Sequence, residues 1–147
     1  MSTNSAVPTE RESAFIHRQR VARLATSDAA GHPAVVPVCY AWDGQHFFIA
    51  LDEKPKSVAA HKLKRVRNIE ARHEASLLID QYSDDWSQLA YILIYAQAEI
   101  VAPDHSLHPH ALSLVRERYV QYRTMELETL PVIALTPTRI SSWGSAL

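Results

Sequence analysis

Glycine and cysteine are scarce in this sequence, and their scarcity excludes several kinds of site. With three glycines in 147 residues, the chain has no glycine-rich dinucleotide fingerprint and no phosphate-binding P-loop. Its one cysteine, Cys39, cannot form an intramolecular disulfide or a thiolate-rich metal site. We therefore expect a reducing, cytoplasmic environment, and we interpret Cys39 as a buried strand residue.

The sequence also lacks an excess of either charge and any long hydrophobic run. It has 15 Lys and Arg against 16 Asp and Glu, for a formal net charge of −1. General nucleic-acid binders and anionic-membrane binders normally carry a basic excess, so we expect neither partner. No run approaches the roughly 18 apolar residues of a membrane helix, and the N-terminus has no signal-peptide pattern. We expect a small-molecule partner.

The apolar content, 47% of 147 residues, is enough for one domain with its own core. We predict a flexible tail at residues 1–8 and a single domain at 9–147. Thr9 and Glu12 have the spacing of a capping box, which predicts a first helix at about residues 10–20. A later helix is predicted at 106–123, with Leu112, Val115 and Tyr119 at helical spacing.

Runs of β-branched and aromatic residues predict six strands. They lie at about residues 21–26, 34–42, 45–51, 75–82, 91–101 and 132–135, with extended chain continuing to Trp143. Asp43 and Gly44 predict a two-residue hairpin turn, and Pro37 predicts an edge or bulged strand because it has no N–H to donate. Hairpin connections imply an antiparallel sheet, so we predict a mainly β fold, a six-stranded β-barrel flanked by helices.

The most distinctive segment is basic and spans residues 50–69. Between Lys54 and Arg67 it carries six cations and no anion. Such a run is either the solvated face of a helix or a binding site for an anionic group. Two ammonium groups two residues apart at a strand end, as in Lys54 and Lys56, can converge on one phosphate.

Several segments together resemble a known family. They are VARLAT at 21–26, GHP at 31–33, VPV at 36–38, DG at 43–44, DEKPK at 52–56, RNI at 67–69 and YSDDW at 82–86. In order and spacing they are similar to the pyridoxamine 5′-phosphate oxidase-like flavin-binding split barrels, and most similar to probable deazaflavin (coenzyme F-420)-dependent oxidoreductases. The resemblance implies an FMN-binding split-barrel fold and a homodimer with FMN or F-420 at the subunit interface.

The resemblance also implies the site residues. The cofactor phosphate would meet the basic side chains after the third strand, Lys54 and Lys56, next to Ser57. The cofactor ring would be lined by Val36, Pro37, Val38, Ala50 and Leu51. Apart from the resemblance, Trp86 and Trp143 could cover a planar ring, since aromatic faces stack on such rings. The alternative for each is a place in the core or in a dimer interface.

The sequence departs from the common family pattern after Lys56, because ten residues, 57–66, separate it from Arg67. Whether Arg67 and Asn68 reach the cofactor is therefore left open. We interpret Lys62, Lys64, Arg65 and Arg67 as the solvated face of a helix. The spacing of His105, His108 and His110 matches no standard metal site, so no metal is predicted.

These expectations favour an oxidoreductase in which a bound flavin or deazaflavin exchanges a hydride or electrons with a small organic substrate. No catalytic side chain is assigned, because such chemistry belongs to the cofactor. The alternative is a non-catalytic flavin- or haem-binding module. A haem would need an axial ligand, for which His61 and His73 are the candidates.

Overall fold

A computed structural model of the chain describes residues 6–52 and 63–147. In chain order its helices and strands are α1 (Glu10–Arg18), β1 (Ala22–Ser27), β2 (Pro33–Val38), β3 (Ala41–Trp42), β4 (Phe47–Ala50), α2 (Lys64–Arg72), β5 (Glu74–Gln81), β6 (Ala90–Val101), α3 (His108–Arg118) and β7 (Val132–Trp143). Short 3-10 turns lie at Trp86–Gln88 and Val120–Arg123. None of the helices in the described ranges is long and apolar enough to cross a membrane.

The seven strands of the described chain form one antiparallel sheet in the order β2-β1-β5-β6-β7-β4-β3. Its two edges, β2 and β3, are consecutive strands separated by Cys39 and Tyr40 alone. Because two residues span only about 7 Å, the sheet must curl until its edges approach each other there. The result is a curled half-barrel, which confirms the predicted mainly β split-barrel class. The domain limits, residues 9–147, stay a prediction.

The sheet has seven strands rather than six because the predicted strand at 34–42 is interrupted at Tyr40. The Tyr40 N–H donates to the Tyr119 hydroxyl at 3.2 Å, and that hydroxyl lies 3.0 Å from the Tyr40 carbonyl oxygen. Both backbone groups of Tyr40 are therefore held by a side chain of another element instead of a neighbouring strand. Its own hydroxyl donates to the Ile16 carbonyl at 2.6 Å, which anchors the break to α1.

The predicted hairpin is present between β3 and β4, but its turn is longer than the two residues predicted. Trp42 pairs with Phe47, so four residues form the loop. One Asp43 carboxylate oxygen accepts hydrogen bonds from the N–H groups of Gln45 and His46 at 2.8 and 2.6 Å. Gly44 has a φ of 98°, which glycine adopts without strain. The side chain of Asp43 therefore sets the loop length.

The two predicted helices near the termini both exist and both end earlier than expected. The Thr9–Glu12 capping box is formed and begins α1. The Arg118 guanidinium donates to the carbonyls of Ile16, His17 and Gln19, so the chain leaves α1 at an extended Gln19. In the later helix the backbone becomes extended at Tyr119, and a 3-10 turn follows.

Helix α2 packs against the sheet and contains the last residues of the basic segment, 64–69. Val66 and Ile69 are buried in the main core cluster. The Asn68 side chain is 3% exposed and donates to the Thr26 hydroxyl at 3.0 Å, which fixes α2 to β1. Burial of this apolar stripe leaves the cations of α2 on its other sides.

Candidate functional site

A cleft of about 410 Å³ lies where the edge strand β2 faces the end of β4. Its lining residues are Val21, Val36, Pro37, Val38, Cys39, Ile49, Ala50, Asp52, Arg65 and Tyr122. Four of them, Val36, Pro37, Val38 and Ala50, are residues that the family resemblance assigned to the cofactor ring. The fold therefore brings most of the predicted ring-binding positions into one cavity.

The cleft contains an exposed strand edge, as Pro37 predicted. Strand β2 pairs with β1 along one side, with Arg23 opposite Pro37 and Leu24 opposite Val36, and no strand of the described sheet pairs with its other side. An edge strand presents alternate N–H and C=O groups to whatever lies beside it. A planar ligand can use these groups as hydrogen-bond partners while it packs against the valine side chains.

Polar side chains lie at one end of the cleft. Burial, followed by a hydrogen bond to the Asp52 carboxylate, raises the pKa of Tyr122. Burial likewise raises the pKa of the Cys39 thiol, which outweighs the opposing effect of its hydrogen bond with Tyr122. At neutral pH both groups are therefore protonated. Cys39 is a poor nucleophile in this setting, because the thiolate is the reactive form.

Arg65 lines the cleft, although the sequence analysis interpreted it as part of the solvated face of a helix. Its neighbours Lys64 and Arg67 are exposed on α2, as predicted for a solvated face, but Arg65 is half-buried and lines the cleft. Its Nε is inaccessible to solvent and makes no hydrogen bond with the described residues. Charge alone does not distinguish Arg65 from its neighbours. The helical phase relative to the buried Val66 and Ile69 could have done so.

The remaining predicted site residues lie outside the cleft or outside the described chain. Leu51 is 2% exposed and packs in the core. Trp86 is 72% exposed in its 3-10 turn and does not line the cleft. Lys54, Lys56 and Ser57 lie outside the described residues, so their predicted phosphate contacts remain predictions.

Arg67 and Asn68, left open from the sequence, do not line the cleft. Arg67 is exposed, and Asn68 is occupied with Thr26. Trp143 also lies elsewhere, with its ring stacked on Tyr91 at a centroid distance of 6.2 Å. Together with Tyr82, these two aromatics line a separate groove of about 410 Å³ beside β5 and β6.

The three histidines near α3 have separate contacts. His105 Nδ1 accepts from the Leu107 N–H, His108 is buried with Nε2 2.7 Å from the Leu130 oxygen, and His110 Nε2 lies 2.9 Å from Asp43 Oδ2. Within residues 6–52 and 63–147, no group of three His, Cys, Asp or Glu side chains is arranged to hold a metal ion.

The sequence profile of the family described as pyridoxamine 5′-phosphate oxidase matches residues 8–144. A comparison with curated protein sequences finds no match.

Solved structures share the fold at low sequence identity. HutZ, the heme storage protein from Vibrio cholerae, is 18% identical, with 92% of this chain and 95% of that chain covered and a TM-score of 0.72. A conserved hypothetical protein from Mycobacterium tuberculosis is 20% identical, with 99% and 89% covered and a TM-score of 0.72. A structure described as F420 reductase is 23% identical, with 92% and 98% covered and a TM-score of 0.63. At these identities the likeness shows the fold.

Proposed function

This chain belongs to the pyridoxamine 5′-phosphate oxidase family, and we propose that it is an oxidoreductase that uses FMN or coenzyme F-420 to reduce or oxidise a small organic substrate. The observation that carries the proposal is the cleft beside β2, where Val36, Pro37, Val38 and Ala50 converge. An F420 reductase with the same fold supports the same class of cofactor.

The residues of the cleft fit a planar, partly polar cofactor. Valine and alanine side chains offer apolar contact area for a ring, and the edge of β2 offers backbone groups for its heteroatoms. When bound, a flavin or deazaflavin supplies the hydride or electron transfer. The chain's own contribution is to bind the ring, to orient it against the β2 backbone and to exclude water from its apolar face.

The proposal includes a homodimer with the cofactor at the subunit interface. The outer face of the sheet carries Leu78 opposite Leu93, both half-buried, with Tyr91 and Tyr95 exposed on the same face of β6. Apolar and aromatic side chains on a sheet face favour burial against another surface. In a dimer, Trp86 of one subunit can contribute to the cofactor site of the other, which would reconcile its exposure with the predicted role.

Lys54 and Lys56, next to Ser57, are proposed to bind the cofactor phosphate. Their support is the family resemblance and their place in the sequence, two and four residues after Asp52, which lines the cleft. The charge-assisted hydrogen bonds of two ammonium groups are stronger than neutral ones and suit a dianion.

Titration with FMN and with F-420, followed by fluorescence quenching, tests the proposal. We expect micromolar binding of at least one cofactor. The double variant Lys54→Ala with Lys56→Ala should weaken that binding at least tenfold, while Lys62→Ala with Lys64→Ala, which removes the same charge, should change it less than threefold. Failure of both cofactors to bind would remove the proposal, and equal effects of the two double variants would remove the phosphate assignment.

A haem-binding module is the second candidate, because HutZ shares the fold and is described as a heme storage protein. Among the described residues the cleft contains no histidine, and its thiol, Cys39, has a raised pKa. His73 ends α2 in a left-handed conformation, and His61 lies outside the described residues. A haem titration distinguishes the candidates: a saturable Soret shift that His61→Ala or His73→Ala abolishes would favour haem.

A further inference from the structure

We propose that the Asp52 carboxylate, held in place by the Tyr122 hydroxyl, binds a positively charged or N–H-donating nitrogen of the substrate. The inference rests on the proposed function and names the class of substrate, a planar ring that carries such a nitrogen. Asp52 would touch the substrate, whereas Tyr122 would be a positioning residue that acts through Asp52. The family resemblance assigned a role to neither residue.

A short chain of hydrogen bonds lies at the polar end of the cleft, and its direction identifies Asp52 as the negative end. The Tyr122 hydroxyl is hydrogen-bonded to the Asp52 carboxylate and to the Cys39 thiol. Since a carboxylate can only accept, the hydroxyl proton is donated to Asp52, and the hydroxyl oxygen accepts from the thiol. Both bonds therefore point towards a negative charge that lines the cleft.

The Asp52 carboxylate can bind a ligand without releasing Tyr122. Its two oxygens accept about four hydrogen bonds in all, so the tyrosine hydroxyl and a ligand nitrogen can be bound at the same time. A hydrogen bond to an ionised group is roughly twice as strong as a neutral one. A site of this kind discriminates against ligands that lack the donor, because their binding would desolvate the carboxylate without giving it a new partner.

Tyr122 is fixed by contacts that do not involve Asp52. Its side chain is buried, and its ring packs edge-to-face on the Tyr119 ring with the centroids 5.7 Å apart. Its N–H donates to the Tyr119 carbonyl at 3.1 Å, and its carbonyl accepts from Arg116 Nε at 3.0 Å. A hydroxyl on so fixed a residue also restrains the carboxylate to which it donates, which lowers the cost of ordering Asp52 when a ligand binds.

The cavity combines this carboxylate with apolar walls. Arg20 and Arg118, whose charges act on Cys39, are engaged elsewhere: Arg20 donates to the Arg118 carbonyl, and Arg118 donates to a carbonyl at the end of α1. Among the described lining residues, Asp52 is the acidic side chain and Arg65 the basic one. The walls suit a ring, and the carboxylate suits a donor nitrogen attached to it. The apolar lining residues are Val21, Val36, Val38, Ile49 and Ala50.

Three compounds of similar shape test the assignment on the wild-type protein. Benzamidine carries a cationic nitrogen donor, benzamide carries a neutral one, and benzoate carries none. The ¹³C carboxyl resonance of Asp52, assigned by its absence from the spectrum of Asp52→Asn, reports binding. We expect it to shift with saturation with benzamidine, to need a higher concentration of benzamide, and to stay fixed with benzoate. A resonance that stays fixed with benzamidine, or that shifts equally with all three compounds, would overturn the inference.

Matched variants separate a direct contact from a general field effect. Asp52→Asn should weaken benzamidine binding about 10- to 100-fold, the range expected for a hydrogen bond to a charged group. Glu70→Gln, which removes the same charge from an exposed site on α2, should change it less than about threefold. Asp52→Glu should restore part of the loss, because the charge returns on a longer side chain. Equal losses in Asp52→Asn and Glu70→Gln would overturn the inference.

Tyr122→Phe tests the positioning role, because it removes the hydroxyl and keeps the ring. We expect benzamidine binding to weaken about three- to tenfold in the wild-type background. In the Asp52→Asn background the same substitution should have little further effect, since Tyr122 acts through Asp52. If Tyr122→Phe lowers the thermal unfolding midpoint and leaves benzamidine binding intact, the hydroxyl has a structural role only, and its positioning role is overturned.

The same titration in the presence of cofactor separates a substrate site from a cofactor site. With saturating FMN or F-420, benzamidine should still shift the Asp52 resonance. If the cofactor itself shifts that resonance and abolishes benzamidine binding, Asp52 serves the cofactor, and the substrate assignment is overturned. A protein that binds benzamidine at Asp52 but binds neither cofactor would keep this binding site and lose the flavin function. A protein that binds a flavin, with Asp52 unmoved by benzamidine, would keep the flavin function and lose this inference.

Discussion

Arg116 shows how much of the local structure rests on single arginine side chains. Its guanidinium donates to both Glu128 carboxylate oxygens at 2.5 and 3.0 Å, and also to the carbonyls of Tyr122 and Met125. One side chain thereby holds α3 to the loop that leads into β7. The paired arginine lowers the pKa of Glu128 to about 2 from its ordinary value of 4.5.

The lowered pKa predicts a specific pH dependence of stability. Because Glu128 binds its proton more weakly in the folded state, its contribution is complete above pH 4.5 and disappears as the pH falls towards about 2. We expect wild type to be more stable than Glu128→Gln at pH 7, with the difference shrinking through that window in urea unfolding. In an Arg116→Gln background the same substitution should have little effect. A difference that stays constant down to pH 2 would contradict this account.

At the scale of elements, α1, α3 and the link between β2 and β3 meet in one hydrogen-bonded cluster. Arg118 binds carbonyls at the end of α1, its guanidinium lies 5.0 Å from the Tyr40 ring centroid, and the Tyr119 hydroxyl holds the Tyr40 backbone. Because the two edges of the sheet are joined through Cys39 and Tyr40, this cluster holds the link between them. Cys39, the residue before Tyr40, lines the cleft.

Arg118→Met should therefore destabilise the protein more than loss of an exposed arginine. Several carbonyls at the end of α1 would lose a charged donor, and we expect a loss of about 1–3 kcal/mol. Arg67→Met, at an exposed position on α2, should change stability by less than about 0.5 kcal/mol. Urea unfolding measures both, and similar values for the two variants would show that the cluster does not hold α1.

The elements that the sequence predicted well are those with a strong local pattern. The Thr9–Glu12 capping box, the long strand β6 and the edge position around Pro37 all follow from side-chain type and spacing. What failed depends on distant residues. Nothing near Tyr40 signals that Tyr119 will take its backbone groups, and nothing local to Arg65 shows that its side chain lines a cleft with β2.

At the scale of the whole molecule, the curled sheet has an inner face and an outer face. The inner face is filled by the core, so Leu78, Leu93, Tyr91 and Tyr95 project from the opposite face of β5 and β6. The Arg139 guanidinium lies over the Tyr95 ring at 4.9 Å and covers only part of this surface. The proposed dimer would bury it.

Leu93→Arg should disrupt that dimer. We expect wild type to sediment at twice the 16.6 kDa chain mass and Leu93→Arg to sediment as a monomer, because a charge would replace an apolar contact at the centre of the face. Val120→Arg, an exposed apolar residue on the 3-10 turn after α3, should remain dimeric. A monomeric wild type at tens of micromolar would contradict the dimer proposal.

Backbone ¹H–¹⁵N spectra recorded during FMN and F-420 titrations show whether the cleft beside β2 binds a flavin-type cofactor. We predict that the amides of Val36, Val38 and Ala50 are among the most strongly shifted, with at least one of the two cofactors. Shifts confined to the groove of Tyr91 and Trp143, or no shifts with either cofactor, would contradict it.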